Sequence, residues 1–335
     1  MQKVSDLRHI IVGGNGFLGK KIVENLVADN KKVTVVDKNI GNLDTRNVKV
    51  LKCDIANFND VLNINLSKYD VIHHLASNLI IPNKPRFNRY EYFSETTIKG
   101  TQNIIELMKK NNCNKMVFWS TDMVYGIYQD KIINEKNKTQ PFGDYGNTKV
   151  KAELLIKNAI KKNNLNCTIF RPRLILGPSR LGILKNLFNL IRLNLPVPLI
   201  GDGDNFFQFI SVQDCAKASI MAAEKNCPSE TYNLGSKKPY KIKNILKNLI
   251  RHAKSKSILI PLPEIFIINV LNFLNFFKIS PLDIEQYKIA NQNVILDTSK
   301  VCKDLGWESV LDDSDVLLQT YDYYIKQSNE KNCNF

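Results

Sequence analysis

Gly13, Gly16 and Gly19 recur every third residue between an apolar run at 9–12 and an amphipathic stretch at 17–28. Few local patterns constrain a chain more. A strand that runs through glycine straight into a helix needs a turn too tight for side chains, then a close approach of helix to strand. Leu18, Ile22, Leu26 and Val27 mark the buried side of that helix. A β-branched run, Val33-Thr34-Val35-Val36, follows and closes on Asp37. The pattern predicts further strands over 48–53, 71–75, 115–120 and 166–171, with helices over 96–110 and 145–161. Strand and helix in alternation specify a parallel sheet with helices on both faces, an α/β doubly wound fold.

After Arg171 the alternation loosens. Pro172, Pro178, Pro196 and Pro198 punctuate the chain, followed by Gly201-Asp202-Gly203. A strand over 209–212, a helix over 213–224 and a strand ending at Leu234-Gly235 are expected. The division this suggests is a sheet domain of 1–172 plus 206–230, and a smaller C-terminal substrate-binding lobe of 173–205 plus 231–335. The stretch 264–278 is strongly apolar, with Asn269, Asn272 and Asn275 as a thin polar stripe. It predicts a helix packed on the smaller lobe or at a dimer face. The sharper alternative is peripheral contact with a membrane or a lipid-linked saccharide.

The bulk numbers narrow the function classes. Of 335 residues, 44% are hydrophobic and 24% charged, enough to bury a core. The net charge of +15 comes from scattered lysines with no basic block, so no nucleic-acid partner is expected. A basic cleft for an anionic phosphate or diphosphate is compatible with it. The seven cysteines are odd in number and lack metal-ligand spacing. They read as small hydrophobes in a reducing, cytoplasmic setting, and no metal site is expected. Residues 1–8 are short and polar, so no signal segment is expected, and no apolar run is long enough for a transmembrane span.

Ligands of doubly wound sheets bind at the carboxyl ends of the strands. Gly13, Asp37, Ala76, Thr121 and Pro172 all fall there. The loop Gly13, Asn15, Gly16, Phe17, Leu18, Gly19 opens a helix N-terminus, a cradle for a pyrophosphate. A carboxylate at Asp37 would accept from a ribose diol and repel a 2′-phosphate, which points to NAD rather than NADP. Asp54 and Ile55 are placed for the adenine side. Leu75, Ala76, Ser77 and Pro172 complete the expected cofactor contacts. Tyr145 and Lys149 stand four residues apart in Tyr-Gly-Asn-Thr-Lys, on one helix face. The ammonium of Lys149 would favour the phenolate of Tyr145, as would a cationic nicotinamide, allowing acid/base work near neutral pH. The Thr121 hydroxyl is expected to orient a substrate oxygen; the alternative is a helix cap.

These residues, with His74-Leu75-Ala76, Gly100-Thr101, the stretch 120–126, Arg171-Pro172, Gly177-Pro178, Val212-Gln213-Asp214 and Tyr232-Asn233-Leu234-Gly235, resemble an extended short-chain dehydrogenase/reductase of the NAD-dependent epimerase/dehydratase family. The resemblance runs over most of the chain. It implies a Rossmann-type domain, a C-terminal substrate lobe, a homodimer, and a catalytic set at Thr121, Tyr145 and Lys149. Many members oxidise a nucleotide-linked sugar at C4 and return the hydride. Four positions depart from family patterns. Met123 stands where the 4,6-dehydratases carry a glutamate, although Asp122 is kept. Leu174 and Phe207 replace an asparagine and a diphosphate-gripping arginine of galactose-type epimerases, and Thr97 replaces an asparagine. Arg173 and Arg180 are the candidates to supply the missing charge. The resemblance thus implies an NAD-dependent sugar epimerase acting through a ketone. The alternatives are a dehydrogenase or 4-ketoreductase, a dehydratase weakened by Met123, and a cofactor-binding protein without catalysis.

Overall fold

The computed structural model describes residues 7–41, 48–81, 84–85, 87–127, 130–182, 184–290 and 292–332. The polar start at 1–6 and Cys333 lie outside the described residues. Seven strands form one parallel sheet: β1 (Arg8–Val12), β2 (Lys32–Asp37), β3 (Lys49–Lys52), β4 (Asp70–His74), β5 (Lys115–Trp119), β6 (Asn166–Pro172) and β7 (Thr231–Leu234). Their spatial order is β7-β6-β5-β4-β1-β2-β3. The order reverses between β1 and β4, which opens a crevice above their carboxyl ends.

Alternation along the strands builds a core on each face. Ile11, Val35, Val71 and Val117 point one way and pack with Leu18, Ile22 and Leu26 of the Phe17–Ala28 helix and with the Val212–Glu224 helix. Ile10, Val36, Ile72 and Met116 point the other way, toward Ile104, Leu107, Ala152 and Ile156 of the Gly100–Lys110 and Asp144–Asn163 helices. Trp119 and Trp307 are core residues, as expected. A separate apolar cluster, including Phe188, Val197, Phe209, Leu249, Tyr321 and Tyr324, holds the C-terminal part together.

Three expectations are corrected. Thr231–Leu234 belongs to the sheet, not to the smaller lobe: it pairs in parallel with β6, Tyr232 opposite Phe170, and Tyr232 and Leu234 are fully buried there. Conversely, the strand expected over 209–212 stops at Ser211 and pairs with Leu174–Leu176 outside the central sheet. The helix expected over 96–110 starts earlier, with a helix at Arg89–Ser94 and a π turn at Glu95–Lys99 leading into Gly100–Lys110. Thr101 Oγ1 donates to Thr97 O at 2.6 Å across that wide turn. Gly100 is needed there, since a Cβ would lie 2.6 Å from the Ile55 side chain. The apolar Glu264–Phe276 helix leaves most of its apolar side chains uncovered within the single chain. Only Leu271 is buried, while Ile265 and Phe276 are 77% and 80% exposed. No helix among the described residues is long and apolar enough to cross a membrane.

Candidate active site

The glycine turn is built as its spacing requires. Gly13 has φ +88°, and a Cβ on it would lie 2.7 Å from the backbone nitrogen of Ala76. A Cβ on Gly19 would lie 2.3 Å from the carbonyl oxygen of Gly13, so the helix can approach β1 only without one. Gly16 caps the Phe17–Ala28 helix with no side-chain acceptor, leaving first-turn amides without a side-chain cap. The Asp37 carboxylate braces the loop, accepting from the backbone amides of Asn15 and Asn39 at 2.9 Å each. Asn15 Oδ1 is buried with no hydrogen-bond partner among the described residues. Uncapped amides, an unpartnered buried oxygen and a strand-end carboxylate fit a dinucleotide. Lys38, the residue that could have welcomed a 2′-phosphate, is paired with Asp54 at 2.6 Å.

One cleft of about 390 Å³ runs from this loop to the start of the Asp144–Asn163 helix. Every expected cofactor contact lines it: Gly13, Asn15, Gly16, Phe17, Leu18, Gly19, Asp37, Asp54, Ile55, Leu75, Ala76, Ser77, Tyr145, Lys149 and Pro172. Arg180 also faces it. Thr121, Asp122, Met123 and Arg173 are not among its lining residues. The Thr121 hydroxyl is engaged as a cap, accepting from the Met123 amide at 3.2 Å at the start of the Asp122–Tyr125 turn and donating to Asp122. Asp122 and Arg173 form a buried ion pair, and the guanidinium lies over the Phe207 ring at 4.6 Å. The Ser77 hydroxyl lines the same cleft as Tyr145 and is bonded to Asn78 O at 3.3 Å and to Thr97 Oγ1 at 3.2 Å.

The electrostatics of the Tyr145–Lys149 pair differ from the sequence expectation. Burial pushes the Tyr145 phenol up to about 12, opposed by the Arg180 guanidinium and reinforced by the charges of Glu285 and Asp122. Burial also pulls Lys149 down to about 7, with Glu153 opposing. Lys149 Nζ donates to the carbonyl of Trp119 at 2.8 Å and lies 5.9 Å from the Tyr145 ring centroid. The cation that counts most for the phenol is therefore Arg180, whose signal in sequence was only a charge after Pro178. The ring of Phe93 meets Tyr145 edge-on at 5.5 Å.

Two supporting acids escaped the sequence reading. Glu153, one turn beyond Lys149, accepts from Ser120 Oγ at 2.6 Å and from Arg171 Nε and Nη2 at 2.9 and 2.5 Å. Its spacing of four from Lys149 was the available signal. Glu285 accepts from the amides of Tyr145 and Gly146 at 3.0 and 3.1 Å. No local pattern joins it to a helix 140 residues earlier.

The sequence profile of the NAD dependent epimerase/dehydratase family matches residues 9–235. The chain is 28% identical over 252 residues to a putative UDP-glucose 4-epimerase of Methanocaldococcus jannaschii, covering 72% of this chain and 81% of that protein. It is 25% identical over 261 residues to the dTDP-D-glucose 4,6-dehydratase of Homo sapiens, covering 74% of each. In fold it is similar to the UDP-glucose 4-epimerase of Thermotoga maritima, crystallised with UDP-glucose, with a TM-score of 0.78 over 96% of this chain and 99% of that one at 21% identity. With the matched segment spanning the glycine loop, the cleft and all seven strands but the first residue of β1, the chain is an enzyme of the NAD dependent epimerase/dehydratase family, and its cofactor is NAD.

Proposed function

We propose that the protein is a nucleotide-sugar epimerase that oxidises a sugar carbinol to a ketone and reduces it again from the other face, with Tyr145 as the acid/base. The observation that carries this reading is the meeting of Tyr145, Lys149, Ser77 and the glycine loop in one cleft. Bound by the glycine loop and Asp37, NAD would supply a reversible hydride acceptor. Tyr145 takes the hydroxyl proton and returns it, so no net proton or electron leaves the site. Arg180 favours the phenolate by its charge. Lys149, titrating near neutrality, can pass a proton toward the phenol or hold positive charge beneath it. Thr121 can donate to a substrate oxygen when its hydroxyl turns away from Asp122, with the Met123 cap kept.

Arg180 is the better placed of the two arginines for a substrate diphosphate, because it faces the cleft while Arg173 is tied to Asp122. The same ion pair argues against dehydration. Elimination of water would ask Asp122 and position 123 for proton transfers, and one is ion-paired while Met123 has no titratable group.

A redox-neutral cycle has no reason to release its cofactor. The purified protein, denatured, is expected to release near-stoichiometric NAD or NADH. An empty site with weak, reversible binding would turn the reading toward a dehydrogenase or ketoreductase that uses NAD as a co-substrate.

A further inference from the structure

We propose that Glu285 is the positioning residue for Tyr145: from the far end of the chain it clasps the turn that carries the phenol and sets a negative charge at the foot of its helix. The inference rests on the acid/base reading of Tyr145 given above.

The geometry starts from a helix that cannot cap itself. Asp144–Asn163 opens at Gly143, which has no side chain to accept from the first-turn amides. Both oxygens of Glu285 do that work, one on the Tyr145 amide and one on the Gly146 amide. A Cβ on Gly143 would lie 2.0 Å from the Glu285 carboxyl carbon, so a side chain there would have to displace the carboxylate. Glu285 is itself held in place. The Asp283 side chain accepts from its amide at 3.2 Å and is ion-paired with Arg89, and Gln286 closes a capping box back to Asp283. The next turn is tied by Tyr287, whose hydroxyl donates to Asn272 at 2.8 Å. Tyr145 is therefore fixed by two contacts from separate parts of the chain, the Phe93 ring and the Glu285 carboxylate.

The charge has a second consequence. Glu285 is 4% exposed, and burial lifts its carboxyl to about 7 against the pull of the Gly146 and Tyr145 amides, with Asp283 and Asp144 adding to the lift. On the phenol side, Glu285 and Asp122 oppose ionisation while Arg180 favours it. Arg89 is spent on Asp283 and Lys149 on the Trp119 carbonyl. Glu285 ionised holds the turn most firmly but resists the phenolate; Glu285 protonated relaxes both effects. An ordinary helix cap would affect only folding.

Glu285→Gln keeps one oxygen acceptor and removes the charge. The expected result is NAD retention equal to wild type, KM unchanged, and kcat on the high-pH plateau lowered about tenfold by looser placement of the phenol. The midpoint of the phenol's own absorbance titration, read against Tyr145→Phe, is expected to move down by about one unit. Glu285→Asp, which keeps the charge but withdraws it by one methylene, should lower the plateau and leave the midpoint in place. Wild-type plateau and midpoint in Glu285→Gln, with or without a loss of thermal stability, would overturn the proposal. If that variant does not fold, Glu285→Asp decides: a lowered plateau at constant KM supports positioning, and a wild-type plateau refutes it. Should wild type transfer no hydride with any sugar nucleotide, the epimerase reading fails separately. The phenol's absorbance titration, taken against Tyr145→Phe, then tests Glu285 alone: a lower midpoint in Glu285→Gln supports the proposal and an unchanged one refutes it.

Discussion

Tyr145→Phe is expected to cut turnover about a thousandfold, the range typical of losing a positioned acid/base. The loss should fall on kcat, with NAD retention intact, because the phenol oxygen is not part of the glycine loop or of the Asp37 brace. The sign of the pH dependence follows from the phenol's position. With burial holding it up near 12, the active base is scarce at neutral pH, and the wild-type rate should rise with pH until another group limits it. Tyr145→Phe should lose that rise along with the rate. Steady-state kinetics across a pH series makes the comparison. More than a tenth of wild-type activity in the variant would mean that another group moves the proton.

The second large effect is on stability. Glu153 and Arg171 form an ion pair in which both side chains are only 2% exposed. Arg171 also donates to the Tyr125 hydroxyl at 3.0 Å, which in turn donates to Asn233 at 2.7 Å. Helix, β6 and β7 are thereby joined through one polar network. Glu153→Ala strands a buried guanidinium and is expected to cost about 3–5 kcal/mol in urea unfolding. It also removes the anion that opposes the desolvation of Lys149, so Lys149 should titrate lower than its value of about 7. A loss below about 1 kcal/mol would show that water or a rearranged neighbour takes over the pairing.

What could be read from the sequence was what local geometry dictates. The glycine spacing names the residues that admit no Cβ, and the strand ends name the cleft, so loop, Asp37, Asp54-Ile55, Tyr145 and Lys149 all meet as expected. What escaped was set by partners far away in the chain. Thr231–Leu234 is four residues long and is defined as a sheet strand only by its pairing with β6. Glu285 finds its role through a helix start in another part of the chain, although Gly143 before Asp144 is a helix start visibly lacking a cap. Ser-Thr-Asp at 120–122 carries the signature of a cap as well as of a catalytic hydroxyl, and the structure has the cap. For the Glu264–Phe276 helix, composition reports how apolar a face is and not whether the lobe, a second copy or a membrane covers it.

The central claim is that the hydride leaves the sugar and returns to the same carbon within one cycle. The decisive measurement offers the wild-type enzyme UDP- and dTDP-hexoses deuterated at C4, with no added nicotinamide. The account predicts an epimerised product that keeps its deuterium, with no net accumulation of NADH. A ketone product accompanied by stoichiometric reduced cofactor, or an epimer whose deuterium has been lost to solvent, would contradict it.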